Sequence, residues 1–338
     1  MKLLIIPDLH FRERMGYADY IPDGRVKEKK EILDFIIEQS KGCSGVVLLG
    51  DQFHLKNNPS EVIREFVEFV EAFGDKEIYM LAGNHEKHGN GKSAIDFMKE
   101  IKKPNWHIVT DKVEEKDGLV FCPYFFRGEM GVNTVKAATT KLLKQLPKGK
   151  VLFTHHAISD IQFNNIDTNF LRQEIVLPKR DLEKKYELIV AGHIHSPSKN
   201  GTVVMAGNVF NNELGESGKK IYHLTIGKEL KIKDIPLPGR AIIKLEDPSE
   251  KDIELVEKNS IVKVFLTKKT ERKAIMALKD QLATKCDAYI IVEKLKGDRE
   301  KAHVDSVMTL GVEDLLKMYA KEKKIPVDKL LEGFNLIK

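Results

Sequence analysis

The chain has 338 residues, 42% of them hydrophobic and 32% charged, with a formal net charge of +5. At roughly 100–200 residues per domain, that length predicts two domains or one large domain with an appendage. No run approaches the ~18 consecutive apolar residues of a membrane span. The three cysteines, Cys43, Cys122 and Cys286, form no CxxC pair, which argues against a disulfide scaffold and a zinc knuckle. These features predict a reducing, cytoplasmic setting and no membrane partner. The mild positive charge permits nucleic-acid binding without requiring it.

The first apolar run stops at Asp8, too early for the h-region of a signal peptide, and reads as a buried first strand. Strands are predicted over 3–7, 46–50, 78–82, 119–122, 151–154, 188–191, 203–206 and 221–226. Helices are predicted between them. Over 59–74, Val62, Ile63, Phe66, Val67, Val70 and Phe73 recur at spacings of three and four and make one apolar face, with Gly74 as a stop. Residues 25–41 and 132–146 read the same way. This alternation predicts an α/β fold around a largely buried sheet, with an antiparallel part over 201–235. Two prolines and a glycine over 235–240 mark a boundary. Beyond it a small β-α-β pattern follows, with strands at 261–266 and 288–292 and a helix at 271–282. Residues 295–303 read as a polar linker. Two short amphipathic helices close the chain, one on Val312, Leu315, Leu316 and Tyr319, the other on Val327, Leu330, Leu331 and Phe334.

Five polar clusters each follow an apolar run directly. They are Asp8 with His10; Asp51 and His54 in GDQFH; Asn84, His85 and Glu86 in GNHE; His155 and His156 after Thr154; and His193 with His195 in GHIH. Strand ends in an open α/β sheet gather on one edge, so clusters nearly 190 residues apart can converge. Residues i and i+2 of an extended chain point the same way, so each DxH or HxH pair can reach one volume. Imidazole, carboxylate and one amide oxygen without thiolate suit Mn, Fe or Zn better than Ca. Two such ions ~3.5–4 Å apart can clamp both oxygens of an in-line displacement at phosphorus, and a carboxylate, here Asp51, bridges them best. A lone histidine beside a strand is most often an ordinary core or surface residue. His88, His107, His223 and His303 belong to no cluster and take that reading.

Together these motifs resemble the calcineurin-like metallophosphoesterase superfamily. GDQFH is similar to the GD-x-FH form of the double-strand-break-repair nucleases of the bacterial SbcD type. Phosphoprotein phosphatases share GNHE but follow the bridging Asp with a DRG sequence, whereas Gln52, Phe53, His54, Leu55 and Lys56 stand here. The length resembles the recombination endonuclease subunit of large phages. Arg12 and Arg14 depart from the small residues usual after the first motif, and His155 and His156 are doubled where one suffices.

The resemblance implies a four-layer α/β sandwich flanked by helices over 1–238. It also implies a small α+β capping domain over 239–298, and a linker with ATPase-docking helices over 299–338. By the same resemblance Asp8, His10, Asp51 and His195 hold one ion. Asp51, Asn84, His155 and His193 hold the other, with His155 preferred to His156. His85 protonates the leaving sugar oxygen or stabilises the transition state, His54 orients His85 or contacts the phosphate, and Glu86 and His156 stand behind the ligands. The implied cofactors are two Mn²⁺, with Mg, Fe or Zn as substitutes. The implied partners are DNA, an SMC-like ABC ATPase and a second copy of the chain, paired through 60–74 and 91–103, in a bacterial or phage-infected cell. Two other readings share these ligands: a small-molecule or cyclic-nucleotide phosphodiesterase, and a non-catalytic DNA-end-binding scaffold.

Overall fold

The first strand, β1 (Lys2–Ile6), is apolar on both faces, so neither face can meet water. Leu4 and Ile6 pack under helices, while Leu3 and Ile5 pack against a second sheet. That double demand builds a four-layer arrangement. The computed structural model describes residues 1–293 except 22, 90, 160–172, 214, 215, 217 and 269. The proposed linker and docking helices of 299–338 therefore lie outside the described residues.

The first sheet runs β12-β11-β1-β2-β3-β4. Its other members are β2 (Gly45–Leu48), β3 (Glu77–Leu81), β4 (Trp106–Val109), β11 (Lys220–Ile226) and β12 (Leu230–Pro236). Strands β1 to β4 are mutually parallel, and the β11–β12 hairpin joins β1 antiparallel. The second sheet runs β5-β6-β7-β8-β10-β9. It comprises β5 (Glu114–Lys116), β6 (Leu119–Cys122), β7 (Val151–Thr154), β8 (Leu188–Ala191), β9 (Ser198–Asn200) and β10 (Val203–Met205). Strands β6, β7, β8 and β10 are parallel. The single sheet expected from the alternation is thus two. The reason is visible in the strands: their two apolar faces bury against different partners.

Between the sheets, Tyr79 stacks on Phe121 at 4.4 Å and Phe121 on Phe153 at 5.4 Å. Helices α1 (Val26–Gln39) and α2 (Ser60–Glu71) cover the outer face of the first sheet. Helices α3 (Val135–Gln145) and α4 (Lys179–Leu182) cover that of the second. Helix α2 follows Pro59, buries Val62, Phe66, Phe69 and Val70, and is closed by Gly74 at φ 67°. Thr134 caps α3, its hydroxyl accepting from the Ala137 amide at 3.2 Å.

Phe66 links this core to the site. It is fully buried and meets Phe53 at 4.8 Å and Phe11 at 5.4 Å, the neighbours of His54 and His10.

A third sheet of three parallel strands follows: β13 (Ala241–Glu246), β14 (Ser260–Leu266) and β15 (Ala288–Glu293). Helices α5 (Glu250–Glu254) and α6 (Arg272–Lys285) connect them. The periodicity missed β13 and α5, because β13 is only half-buried and α5 is barely a turn. Arg240 ties this lobe to the main body. It donates to Glu28 at 2.8 Å and to Asp287 at 2.7 Å. Glu28 is gripped from the other side by the enclosed Arg25.

Candidate metal centre

Parallel order decides which loops meet. The carboxyl ends of β1, β2 and β3 carry Asp8–His10, Asp51–His54 and Asn84–Glu86 to one edge of the first sheet. Those of β7 and β8 carry His155 and the GHIH loop to the facing edge of the second. The loops then lock together through the backbone: Leu9 and His10 amides donate to the Asp51 carbonyl at 3.1 and 2.8 Å. Glycine is needed where the loops crowd. A Cβ on Gly50 would strike the His155 ring, and one on Gly83 the Asp51 carboxylate.

The pairs reach the site by turning, which corrects the extended-chain expectation. His10, Asp51 and His193 all adopt left-handed backbone, at φ 46°, 49° and 76°. Such conformations cost about 1–3 kcal/mol each and persist only where the surroundings over-determine them.

At one end of the cluster, His10 Nε2 lies 2.9 Å from His195 Nε2 and 3.8 Å from Asp51 Oδ2. Asp8 Oδ2 accepts from the His193 amide at 2.9 Å, while its Oδ1 accepts no hydrogen bond although fully buried. At the other end, Asn84 Oδ1 stands 3.1 Å from His155 Nε2 and 2.9 Å from His193 Nδ1. Asp51 Oδ2 is 3.2 Å from His155 Nε2, so Asp51 lies between the two ends. Ligand atoms of Asp8, His10 and His195, and of Asp8, Asp51 and His155, each fall within 4.8 Å of one another.

The donor set fits divalent cations. Buried carboxylates and imidazole lone pairs converge with too few protons among them, a charge arrangement that a metal ion resolves. Backbone and carboxylate acceptors set the tautomers. His155 Nδ1–H donates to the Leu49 carbonyl at 2.8 Å, which turns Nε2 inward. His193 Nε2–H donates to Glu174 at 2.8 Å and turns Nδ1 inward. His195 Nδ1–H donates to Glu216 at 2.9 Å and turns Nε2 inward.

His156 lies outside the cluster. Its Nδ1–H donates to the Ile175 carbonyl at 3.2 Å, and its Nε2 accepts from the Phe125 amide at 3.2 Å, so both ring nitrogens are engaged by backbone. Glu86 accepts from the Phe53 and Gly83 amides at 2.9 and 2.8 Å and pins the loops carrying Asp51 and Asn84 together. His54 and His85 sit together at the mouth, rings stacked at 5.4 Å. They line an open cleft of about 550 Å³ with Leu55, Lys56, Asn57 and Asn84. His107 pairs with Glu77 and His223 with the Gln39 carbonyl, both away from the cluster.

The electrostatics follow burial and charge. Burial opposes ionisation of Asp51, but His155 outweighs it and holds the carboxyl well below its usual range. Burial would lower His155, yet the charges of Asp51 and Asp8 push it up to about 10. Burial, with the charge of His193 beside it, takes His156 down to about 3. Burial lowers His54 to about 4, helped by Arg12 and His85. Burial opposes ionisation of Glu216, but His195 and Lys219 bring it down to about 2.

Glu174 and Glu216 went unseen in the sequence. They precede and follow the GHIH motif by about twenty residues, in no motif of their own, and only the fold brings them to it.

No curated protein matches the chain at a significant level. The calcineurin-like phosphoesterase family matches over residues 1–220, the segment that holds both sandwiched sheets up to β11 and every residue of the cluster. With that match over well more than half its length, the chain belongs to the calcineurin-like phosphoesterase family, whose members hydrolyse phosphoesters at a dimetal site.

Proposed function

We propose that this chain is a manganese-dependent DNA nuclease that serves DNA repair or recombination beside an SMC-like ATPase. The observation that carries the substrate is the mouth of the site. Where the phosphatases resembled above place DRG, this chain turns His54, Leu55 and Lys56 into an open cleft beside His85. Leu55 is half exposed and Lys56 is exposed, so the rim offers an apolar contact and a cation to a long anionic chain.

In this reading Asp8, His10, Asp51 and His195 hold one Mn²⁺, and Asp51, Asn84, His155 and His193 the other. When bound, the two ions supply an activated water at neutral pH and neutralise charge on the phosphoryl oxygens. His85 is oriented for proton transfer. Its Nδ1–H donates to the His54 carbonyl at 2.8 Å and leaves Nε2 facing the cleft, where the ring in its imidazolium form would give the Nε2 proton to the leaving sugar oxygen and return to the neutral Nδ1–H tautomer. His54 stacks beside it and keeps that ring in place. DNA, the ATPase and a second copy of the chain are the proposed partners.

Cleavage of end-labelled single- and double-stranded DNA with Mn²⁺ tests the proposal, against bis-p-nitrophenyl phosphate as the small ester. The wild type is expected to cut DNA, and Asp51→Asn to lose at least a hundredfold in both reactions. Fast turnover of the small ester with no DNA cleavage would refute the nuclease assignment.

A further inference from the structure

Three arginines lie within the first 25 residues, and two of them are accounted for. Arg14 is exposed and pairs with Asp19 at 2.5 Å. Arg25 is enclosed, with its guanidinium shared among Glu28 and the carbonyls of Gly16 and Asn211. Arg12 differs from both. Among the described residues its guanidinium makes no hydrogen bond or ion pair, and its Nε, shut away from solvent, has no acceptor.

The backbone places Arg12 at the site. Phe11 bridges Phe53 in parallel register, and the His54 amide donates to the Phe11 carbonyl at 3.0 Å. The residues that follow this bridge, Arg12 and His54, are therefore backbone neighbours; His54 lines the cleft, and the charge of Arg12 reaches it. Glu213 and Glu216 act on Arg12 only through their charge, and Glu216 is already held by His195, Lys219 and the Asn212 amide.

An enclosed donor without a partner is unfavourable, and a ligand that supplies the acceptor removes that cost. The planar fork of a guanidinium matches phosphate oxygens, and the arginine that phosphatases carry after the bridging Asp is missing here. We propose that Arg12 supplies that function from the first loop, binding a non-bridging oxygen of the substrate phosphodiester at the His54 side of the site. The inference rests on the phosphoester-hydrolase reading but not on the choice of DNA.

The experiment compares wild type, Arg12→Ala and Arg12→Lys with Mn²⁺ bound. It measures orthophosphate affinity and Mn²⁺ affinity by calorimetry, and KM and kcat on DNA and on bis-p-nitrophenyl phosphate. Arg12→Ala is expected to weaken orthophosphate roughly tenfold or more and to raise KM on both esters, with Mn²⁺ affinity as in the wild type. Arg12→Lys, which keeps the charge but not the fork, is expected to recover part of the loss. Arg12→Gln replaces the alanine variant should that one fail to fold. Wild-type orthophosphate affinity in Arg12→Ala would overturn the proposal. So would a parallel loss of Mn²⁺ affinity, which would make Arg12 a prop for the ligand loop. Should the wild type cleave neither ester, the hydrolase reading fails, while the orthophosphate titration still decides the role of Arg12.

Discussion

His85 is held at two points. Its amide donates to Asp51 Oδ1 at 2.9 Å, and its Nδ1–H to the His54 carbonyl at 2.8 Å. The side chain lines the cleft, and its ring nitrogen lies within 4.8 Å of those of His10 and His54. His85→Ala is expected to keep two Mn²⁺ per chain by calorimetry while losing about 10²–10⁴-fold in kcat, the usual worth of a positioned proton donor. Full activity in that variant would remove His85 from the chemistry, and loss of an ion would make it a ligand. His155 sets a second expectation. Its pKa is raised in the ion-free chain, so its contribution to stability is complete below the unfolded value of ~6.5 and is lost as pH rises through about 10. Thermal melts in chelator should therefore fall from pH 7 to pH 10. His155→Gln, which cannot titrate, should show a shallower slope, and identical slopes would contradict the ion-pair account.

At the scale of elements, α2 is the support beneath the ligand loops. Phe66 presses on Phe11 and Phe53, and those two residues bridge each other between His10 and His54. Phe66→Ala is expected to destabilise the chain by about 3–5 kcal/mol, as buried Phe truncations do. It should also weaken Mn²⁺ binding, read in the same sample by denaturant unfolding and calorimetry. Unchanged ion affinity beside lowered stability would show that the loops hold themselves. The apolar stripe of α2 was legible from its three-and-four spacing, because burial on one face is a local pattern. What the stripe holds up was not legible, since Phe11 and Phe53 meet Phe66 only through the parallel order of β1 and β2.

At the scale of the molecule, the third sheet is fastened to the sandwich through Arg240, Glu28 and Arg25, and the Asn211 side chain adds a bond to the Arg240 carbonyl at 2.8 Å. The strand β15 is the last described element of this lobe, and the docking segment proposed for the ATPase comes after it in sequence. Deleting residues 305–338 is expected to abolish co-purification with such an ATPase and to leave Mn²⁺-dependent cleavage intact. Undiminished co-purification by the shortened chain would move the docking site elsewhere. Among the described residues no helix is long and apolar enough to cross a membrane.

The sequence by itself determined the class of chemistry. Asp, Asn and His at the ends of apolar runs, each run read from local hydrophobicity, are enough to identify a mixed nitrogen and oxygen metal site. It also marked most of the central strands and the apolar face of α2, because strand and helix periods are local. Tertiary structure alone decided three other things. It divided the strands between the two sheets of the sandwich that the family resemblance implied, because each strand has two apolar faces and only packing shows what covers each. It separated His155 from His156, adjacent in sequence, by giving both nitrogens of His156 to the backbone and one nitrogen of His155 to the cluster. It brought Glu174 and Glu216 to the far sides of His193 and His195 and left Arg12 without a partner beside His54. Those relations join residues distant in the chain, and hydrogen-bond geometry between distant residues leaves no periodic trace in the sequence.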